Sequence, residues 1–316
     1  MKMVGKPWTS VDRQIQILAE RGLSDAPDFE RYLSQVGYYR LSGYAYPLRQ
    51  YASKKQDAKQ EGNPRRRLDS FVPGARMSHV IALYEFDEQL RLALWQALSK
   101  LEIALRFDIG HTFGKTDPYL HMRVSKLWKT GSRRARAQKF VKKLADTQQR
   151  SSEEFVKHHH QAYHDQMPIW VITEILEFGS LVNLYSLAPF EQRRQVADQY
   201  QARSDELESW LRVMNYLRNI CAHHARLWNR QVVIRPSIKY RRKDPNLSPC
   251  LGRDDKIFAS LTLAAYLLKH KNLTGQISLI ASALSNFPPD IPQCQITDTG
   301  APRHWRTLPI WSKYCP

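Results

Sequence analysis

The sequence predicts an all-α protein, and three observations carry that prediction. Apolar residues recur at three- and four-residue spacing over long stretches, as on one face of a helix. The run from Ala75 to about His111 holds no proline and no glycine before Gly110, so a long helix can pass through it unbroken. No period-two alternation persists, so no strand is expected, and no internal repeat stands out. With 316 residues, 42% of them hydrophobic, the chain can build one large core or two modest ones. The expected organisation is a helical N-terminal lobe with a basic linker over residues 1–70, a helical bundle over 71–286 and an irregular Pro-rich tail over 287–316.

Taken in order, Thr9 or Ser10 caps a first helix, Val11 to Arg21, which Gly22 closes. Ile15 and Leu18 form its buried side. Pro27, a good first-turn residue, opens a second helix that runs to Gln35. In Tyr38-Tyr39-Arg40-Leu41-Ser42-Gly43-Tyr44 the aromatics either pack this lobe or, beside Arg40, stack bases and hold phosphate. Residues 52–70 are polar and include Arg65-Arg66-Arg67, which reads as a loop or boundary. The long helix from Ala75 follows Leu83, Asp87, Leu90, Leu94, Leu101 and Leu105, a stripe interrupted by one acid. Glu102 and Arg106, four apart on it, can pair.

Asp117-Pro118 opens a helix expected to run through Trp128. Arg133 to Lys143 is dense in cations and lacks acids; a helix there presents Arg133, Arg134, Arg136, Lys139, Lys142 and Lys143 to an RNA backbone. His158-His159-His160 and His164 resemble a metal cluster, but only His160 and His164 share a helical face and no acid or Cys completes the set, so no metal is expected. Pro168 begins a broad apolar helix from Ile169 to Leu187, in which Gly179 admits a close neighbour. Helices follow over Glu191–Arg203 and Ser204–Arg230. Residues 231–253, with Arg235, Lys239, Arg241, Arg242 and Lys243 among prolines, form a basic loop; short helices cover Ile257–Leu268 and Leu273–Leu284. The tail either wraps the surface or is partly disordered.

The net charge is +18, which points to a polyanion as partner, and RNA is the expected one. Neither a signal peptide nor an apolar run near 18 residues is found, so no membrane is expected and the location is cytoplasmic. The four cysteines are scattered without a CxxC pair and read as reduced thiols.

The chemistry concentrates in Ser204–Arg230. Trp210, Met214, Leu217, Cys221 and Trp228 face a core, while Asn215, Asn219, His223, Arg226 and Arg230 follow one another on another face. Arg218 precedes His223 by five residues, about 140° around a helix, a gap that a long Arg can swing across. A histidine can take or give a proton near neutral pH, and a guanidinium offers a planar fork to a phosphate. RNA carries its own nucleophile, the 2′-hydroxyl, so this set needs no cofactor. An amphipathic helix that merely exposes Arg218 and His223 is the competing reading.

The wording of these stretches resembles a known family. Arg218-Asn219-Ile220-Cys221-Ala222-His223 resembles the R-x(4–6)-H motif of the HEPN superfamily, including the Asn its ribonucleases often carry. Leu217 to Arg230 resembles the signature of the Abi family, the AbiD/AbiF-like abortive-infection proteins of bacteria. Tyr38–Tyr44 resembles that family's YYRLSGY block. Tyr84-Glu85-Phe86-Asp87 with Leu90-Arg91, then Glu102–Arg106, resembles its first long helix; Pro168-Ile169-Trp170 with Glu177–Leu181 resembles a further block. Four blocks in order, over roughly residues 5 to 285, are far more specific than any one of them.

The resemblance implies a HEPN-like bundle, a homodimer with a composite site, and metal-independent cleavage of RNA that leaves a cyclic phosphate. Under it Arg218 stabilises the phosphate, Asn219 orients the site, and His223 is the acid–base group or a phosphate holder. His224 shares the proton work or packs beside the core stripe, and Arg226, Glu102 and Arg106 give support. A bound regulatory RNA or protein would restrain such an effector. The alternative is a non-catalytic RNA-binding scaffold or regulatory component of a defence system, which would tolerate His223→Ala.

Overall fold

The structure is a computed structural model that describes residues 7–52, 66–127 and 131–316. Its described residues form two compact units. One comprises those up to Leu90 with Ala283–Asp298; the other comprises those of Arg91–Ser282 with Thr299–Pro316. Among the described residues there are thirteen α-helices and a single two-stranded sheet, so the all-α expectation stands.

In the first unit, α1 spans Val11–Glu20, and the Ser10 side chain accepts from the Arg13 N–H at its start. Gly22, at φ +113°, closes it: the Gly22 and Leu23 amides donate to the Ala19 and Leu18 carbonyls. Pro27 opens a 3-10 turn, Ala26–Phe29, which leads into α2 at Glu30–Val36. Gly37 separates α2 from α3, Tyr38–Ala45, so the tyrosine block is a short helix. The strands β1, Arg49–Tyr51, and β2, Arg67–Phe71, pair antiparallel. They correct the expectation of no strand and place part of the linker in regular structure; Arg65 lies outside the described residues. The start of α4, Met77–Thr116, is capped by Asp25, whose carboxylate accepts from the Met77 and Ser78 amides. Tyr44 is buried and donates to Asp87 at 2.7 Å. The acid that interrupts the α4 stripe is thus a buried acceptor rather than a solvent-facing charge.

The second unit is built around α11, Ser204–Ala222, and α12, Ile257–His270. Trp210, Leu211, Met214 and Leu217 of α11 are fully buried, each worth roughly 1.5–3 kcal/mol by area. In α12 every residue from Ile257 to Leu268 is buried, so this helix is apolar all round. Around them stand α5, Val124–Leu127; α6, Gly131–Arg150; α7, Glu154–Ala162; α8, Ile169–Ile172; α9, Phe178–Leu187; and α10, Phe190–Asp198. The last helix, α13, spans Thr274–Ser285.

Several expected helices break. After Pro118 there is a 3-10 turn, Leu120–Met122, then the one-turn α5; Trp128 lies outside the described residues. The expected Ile169–Leu187 helix is α8, a 3-10 turn Thr173–Ile175, extended Leu176 and Glu177, and then α9. The break lets α8 lie on α4, where a Cβ on Gly110 would come within 2.9 Å of the Trp170 Cα. Gly179 of α9 faces the Asn215 carboxamide of α11, the close approach expected of it. The tail is irregular but not superficial: Trp305, Ile310 and Trp311 are buried, and the Trp311 indole N–H donates to Thr262 on α12 at 3.2 Å.

Candidate active site

The end of α11 decides the geometry of the candidate site. Helical backbone stops at Ala222, with His223 as its cap, not at Arg230 as the spacing suggested. His224 takes the left-handed conformation at φ +51°. Its amide donates to the Cys221 carbonyl, and the Ala225 amide donates to that of Ile220, which is the paired closure of a Schellman turn. Glycine usually fills that left-handed position; a histidine there costs about 1 kcal/mol or more. Leu227 and Trp228 offset the reversal by returning to the core, where both are fully buried. Arg230 bends back to donate to the Tyr216 hydroxyl and to the Arg226 carbonyl. Arg226 and Arg230 therefore leave the helical face that would have aligned them with His223.

What remains on that face is Asn215, Asn219 and His223, with Arg218 at its edge. Asn219 and His223 are exposed, and the Asn219 carbonyl accepts the His223 amide in the last helical turn. Arg218 is half-buried. Its guanidinium carbon lies 5.3 Å from the centroid of the Trp95 ring on α4, and its Nε is 3.9 Å from a Glu102 oxygen. That Nε is buried with no hydrogen-bond partner among the described residues. Glu102 in turn accepts from Arg106 at 2.7 Å, and Arg106 donates to the carbonyls of Thr173, at 3.0 Å, and Glu174 in the turn after α8. A relay of charge and backbone dipole thus runs from that turn through Arg106 and Glu102 to Arg218. It holds the guanidinium beside α4, with about a third of the Arg218 side chain, 34%, still exposed.

Trp95 is the member of this group that the sequence reading missed. It lies seven residues before Glu102, two turns along the same face of α4, and that spacing was the available signal. The carbonyls of Thr173 and Glu174 carry no such signal. Beyond Trp95, α4 exposes Leu92, Ile103 and Phe107, with Trp170 of α8 exposed nearby in sequence to the turn. Arg106, Phe107, His111, Gly114, Lys115, Trp170 and Glu174 line an open groove of about 760 Å³.

The other expected residues divide. On α6, Arg133, Arg134, Lys139 and Lys142 are exposed. Arg136 instead donates to Asn183 and Ser186 of α9, and Lys143 donates to Ser180 and pairs with Glu177. Arg136 and Lys143 are exposed as well, so all six cations lie on the surface of α6. Tyr39 is 92% exposed on α3 and Arg40 is exposed beside it, whereas Tyr44 is buried, so only part of the tyrosine block packs. His160 and His164 do not share a face: α7 ends at Ala162, His164 sits at φ +50°, and His160 pairs with Asp165. Among the described residues, no three His, Cys, Asp or Glu side chains are grouped to hold a metal, and no helix is long and apolar enough to cross a membrane.

A family model described as Abi-like protein matches residues 31–229, from α2 through the turn that follows α11. No curated protein and no solved structure matches the chain.

Proposed function

The chain belongs to the Abi-like protein family, and on that premise we propose that it is an abortive-infection effector acting as a metal-independent endoribonuclease of the HEPN kind. The observation that carries this reading is the arrangement of Arg218: its guanidinium is fixed beside Trp95 and Glu102 but keeps a free edge, close in sequence to an exposed imidazole at the helix end. A phosphate in the fork of Arg218 would have its developing charge stabilised as the 2′-oxygen attacks phosphorus and the 5′-oxygen leaves. His223 would take the 2′-hydroxyl proton or return one to the departing 5′-oxygen, and Asn219 would orient the phosphate. A homodimer, with two such helix ends forming one site, would supply both proton roles at once. The exposed Leu92, Trp95, Ile103 and Phe107 on α4, flanking Glu102, support that assembly as the apolar face it requires.

The experiment is cleavage of mixed cellular RNA by purified protein in EDTA, beside Arg218→Ala and His223→Ala. The wild type is expected to leave 2′,3′-cyclic phosphate ends. Each variant should lose at least about a hundredfold in rate, the scale of acid–base catalysis, while keeping its helical circular dichroism and assembly size. Equal cutting by wild type and His223→Ala, or cutting only with added metal, refutes the assignment. Tight RNA binding without cutting by any of them would instead favour a non-catalytic RNA-binding scaffold.

A further inference from the structure

The loop between α11 and α12 has no part in the chemistry above, yet it is a basic surface anchored to the second unit by several hydrogen bonds. Two successive turns shape it. The Arg241 amide donates to the Ile238 carbonyl, which leaves Lys239 and Tyr240 at the tip of the first turn. The Asp244 amide donates to the Arg241 carbonyl, which leaves Arg242 and Lys243 at the tip of the second. The residues before the first tip and between the two are anchored. Ile238 is buried, the Ser237 carbonyl accepts from the Trp210 indole, and the Ser237 amide donates to Ser209. Arg241 grips the buried Glu206 through two nitrogens and also donates to the Gln201 carbonyl. The tips are thus held by α11 from below, at little entropic cost to a ligand.

At the first tip Tyr240 is 55% exposed, and two cations lie against its ring: Arg203 at 4.8 Å and Lys239 at 4.9 Å from the centroid. Two clefts, of about 560 and 430 Å³, are each walled by Tyr240 and Arg241, with Asp244 in the first and Asp198 and Glu206 in the second. The larger adds Lys243, Lys269, Asn246 and His270, which combine cations for phosphates with donors and acceptors for base edges. An open aromatic ring among anchored cations is the arrangement that binds unpaired nucleotides, since every base has a face to stack.

We propose that this double turn is a binding site for single-stranded RNA, with a base stacked on Tyr240 and the neighbouring phosphates on Lys239, Arg242 and Lys243. The site is separate from the cleavage reading and does not depend on it.

The test uses the full-length protein and a fluorescent 2′-O-methyl oligouridine, which lacks the nucleophile and so reports binding whether or not the protein cuts RNA. Anisotropy is read over a salt series. Tyr240→Ala should weaken binding about fivefold to a hundredfold, and Tyr240→Phe should restore it. Replacing Lys239, Arg242 and Lys243 together with Gln should reduce the slope of log K against log salt by about 2, at roughly 0.7 for each phosphate that is no longer neutralised. All these side chains except that of Arg241 point out of the fold, so unchanged melting curves are expected. Wild-type binding by Tyr240→Ala overturns the proposal, even if the charge variant weakens, because no base then stacks there. Binding through these residues to phosphatidylserine vesicles, with none to the oligonucleotide, overturns it as well.

Discussion

Replacing Gly110 with Ala tests how the relay behind Arg218 is supported. The new Cβ would lie 2.9 Å from the Trp170 Cα, 3.0 Å from the Thr173 hydroxyl oxygen and 3.3 Å from the Trp170 Cβ. Ordinary carbon contacts begin near 3.5 Å, so α8 has to move by about half an ångström, and its backbone is what must yield. Overpacking of this kind costs about 1–3 kcal/mol. Against it stands the gain from Ala over Gly inside a helix, about 1 kcal/mol. The net loss is about 1 kcal/mol, or a fall of about 2–4 °C in the melting temperature of a unit this size. Gly275→Ala, near the start of α13, meets nothing within 4 Å and is the control; it should melt at or slightly above the wild type. Trp170→Ala cannot rescue Gly110→Ala, because the clash is with backbone. It should partly rescue Gly114→Ala, whose Cβ would meet the Trp170 ring at 2.6 Å. Under the proposed ribonuclease reading, RNA cleavage should fall more than the loss of folded protein explains, because the turn after α8 carries the carbonyls that hold Arg106. If Gly110→Ala melts at or above Gly275→Ala, α8 does not lie on α4 as described and the relay has no foundation.

Three further outcomes follow from the packing of the second unit. Asp108 is buried, accepts from the Tyr200 hydroxyl at 2.6 Å and pairs with Lys271 at 2.6 Å; Asp108→Ala should cost about 3–5 kcal/mol in urea denaturation, less whatever Lys271 recovers by reaching water. Burial pushes the pKa of His121 down from 6.5 to about 4, with Asp117 pulling the other way. The folded state then binds fewer protons than the unfolded one between those values, so stability should fall as pH drops from about 6.5 to 4, by up to about 1.4 kcal/mol per pH unit. His121→Phe should flatten that part of a pH–stability curve, and a curve unchanged by the substitution would count against the buried neutral imidazole. Trp311→Ala should cost about 3–5 kcal/mol by thermal melting, where a surface-wrapping tail would lose almost nothing.

The sequence made the long helix legible because no proline or glycine falls between Met77 and Ile109 and its stripe keeps one period. The candidate Arg and His were legible for the same reason, since they fall on a regular segment. The stop after Ala222 was not. Arg226 and Arg230 continue the polar spacing, and the left-handed position is filled by His224 rather than by Gly or Asn. The break at Leu176 and Glu177 was hidden likewise: no Pro or Gly marks it, and the packing of α8 on α4 imposes it. Short strands such as Arg49–Tyr51 span too few residues for alternation to register. Prolines in the tail argued for loose chain, and they rightly exclude helix, but Trp305 and Trp311 were the better guide to burial. Charge alone did not say which cations of α6 bond to a neighbouring helix; Arg136 and Lys143 bond to α9.

The division of the tail has a consequence for the order in which the protein can mature. Phe287 lies edge-to-face with Phe86 at 5.0 Å in one unit, and Trp311 packs on Phe258 at 5.9 Å in the other. Both closures are made by segments that follow the last described α-helix, Thr274–Ser285, in the chain. The segment bearing Arg218 and His223 therefore emerges well before either core is sealed. A chain truncated before Phe287 would lack both closures, whereas one truncated between Phe287 and Trp311 would lack only the second.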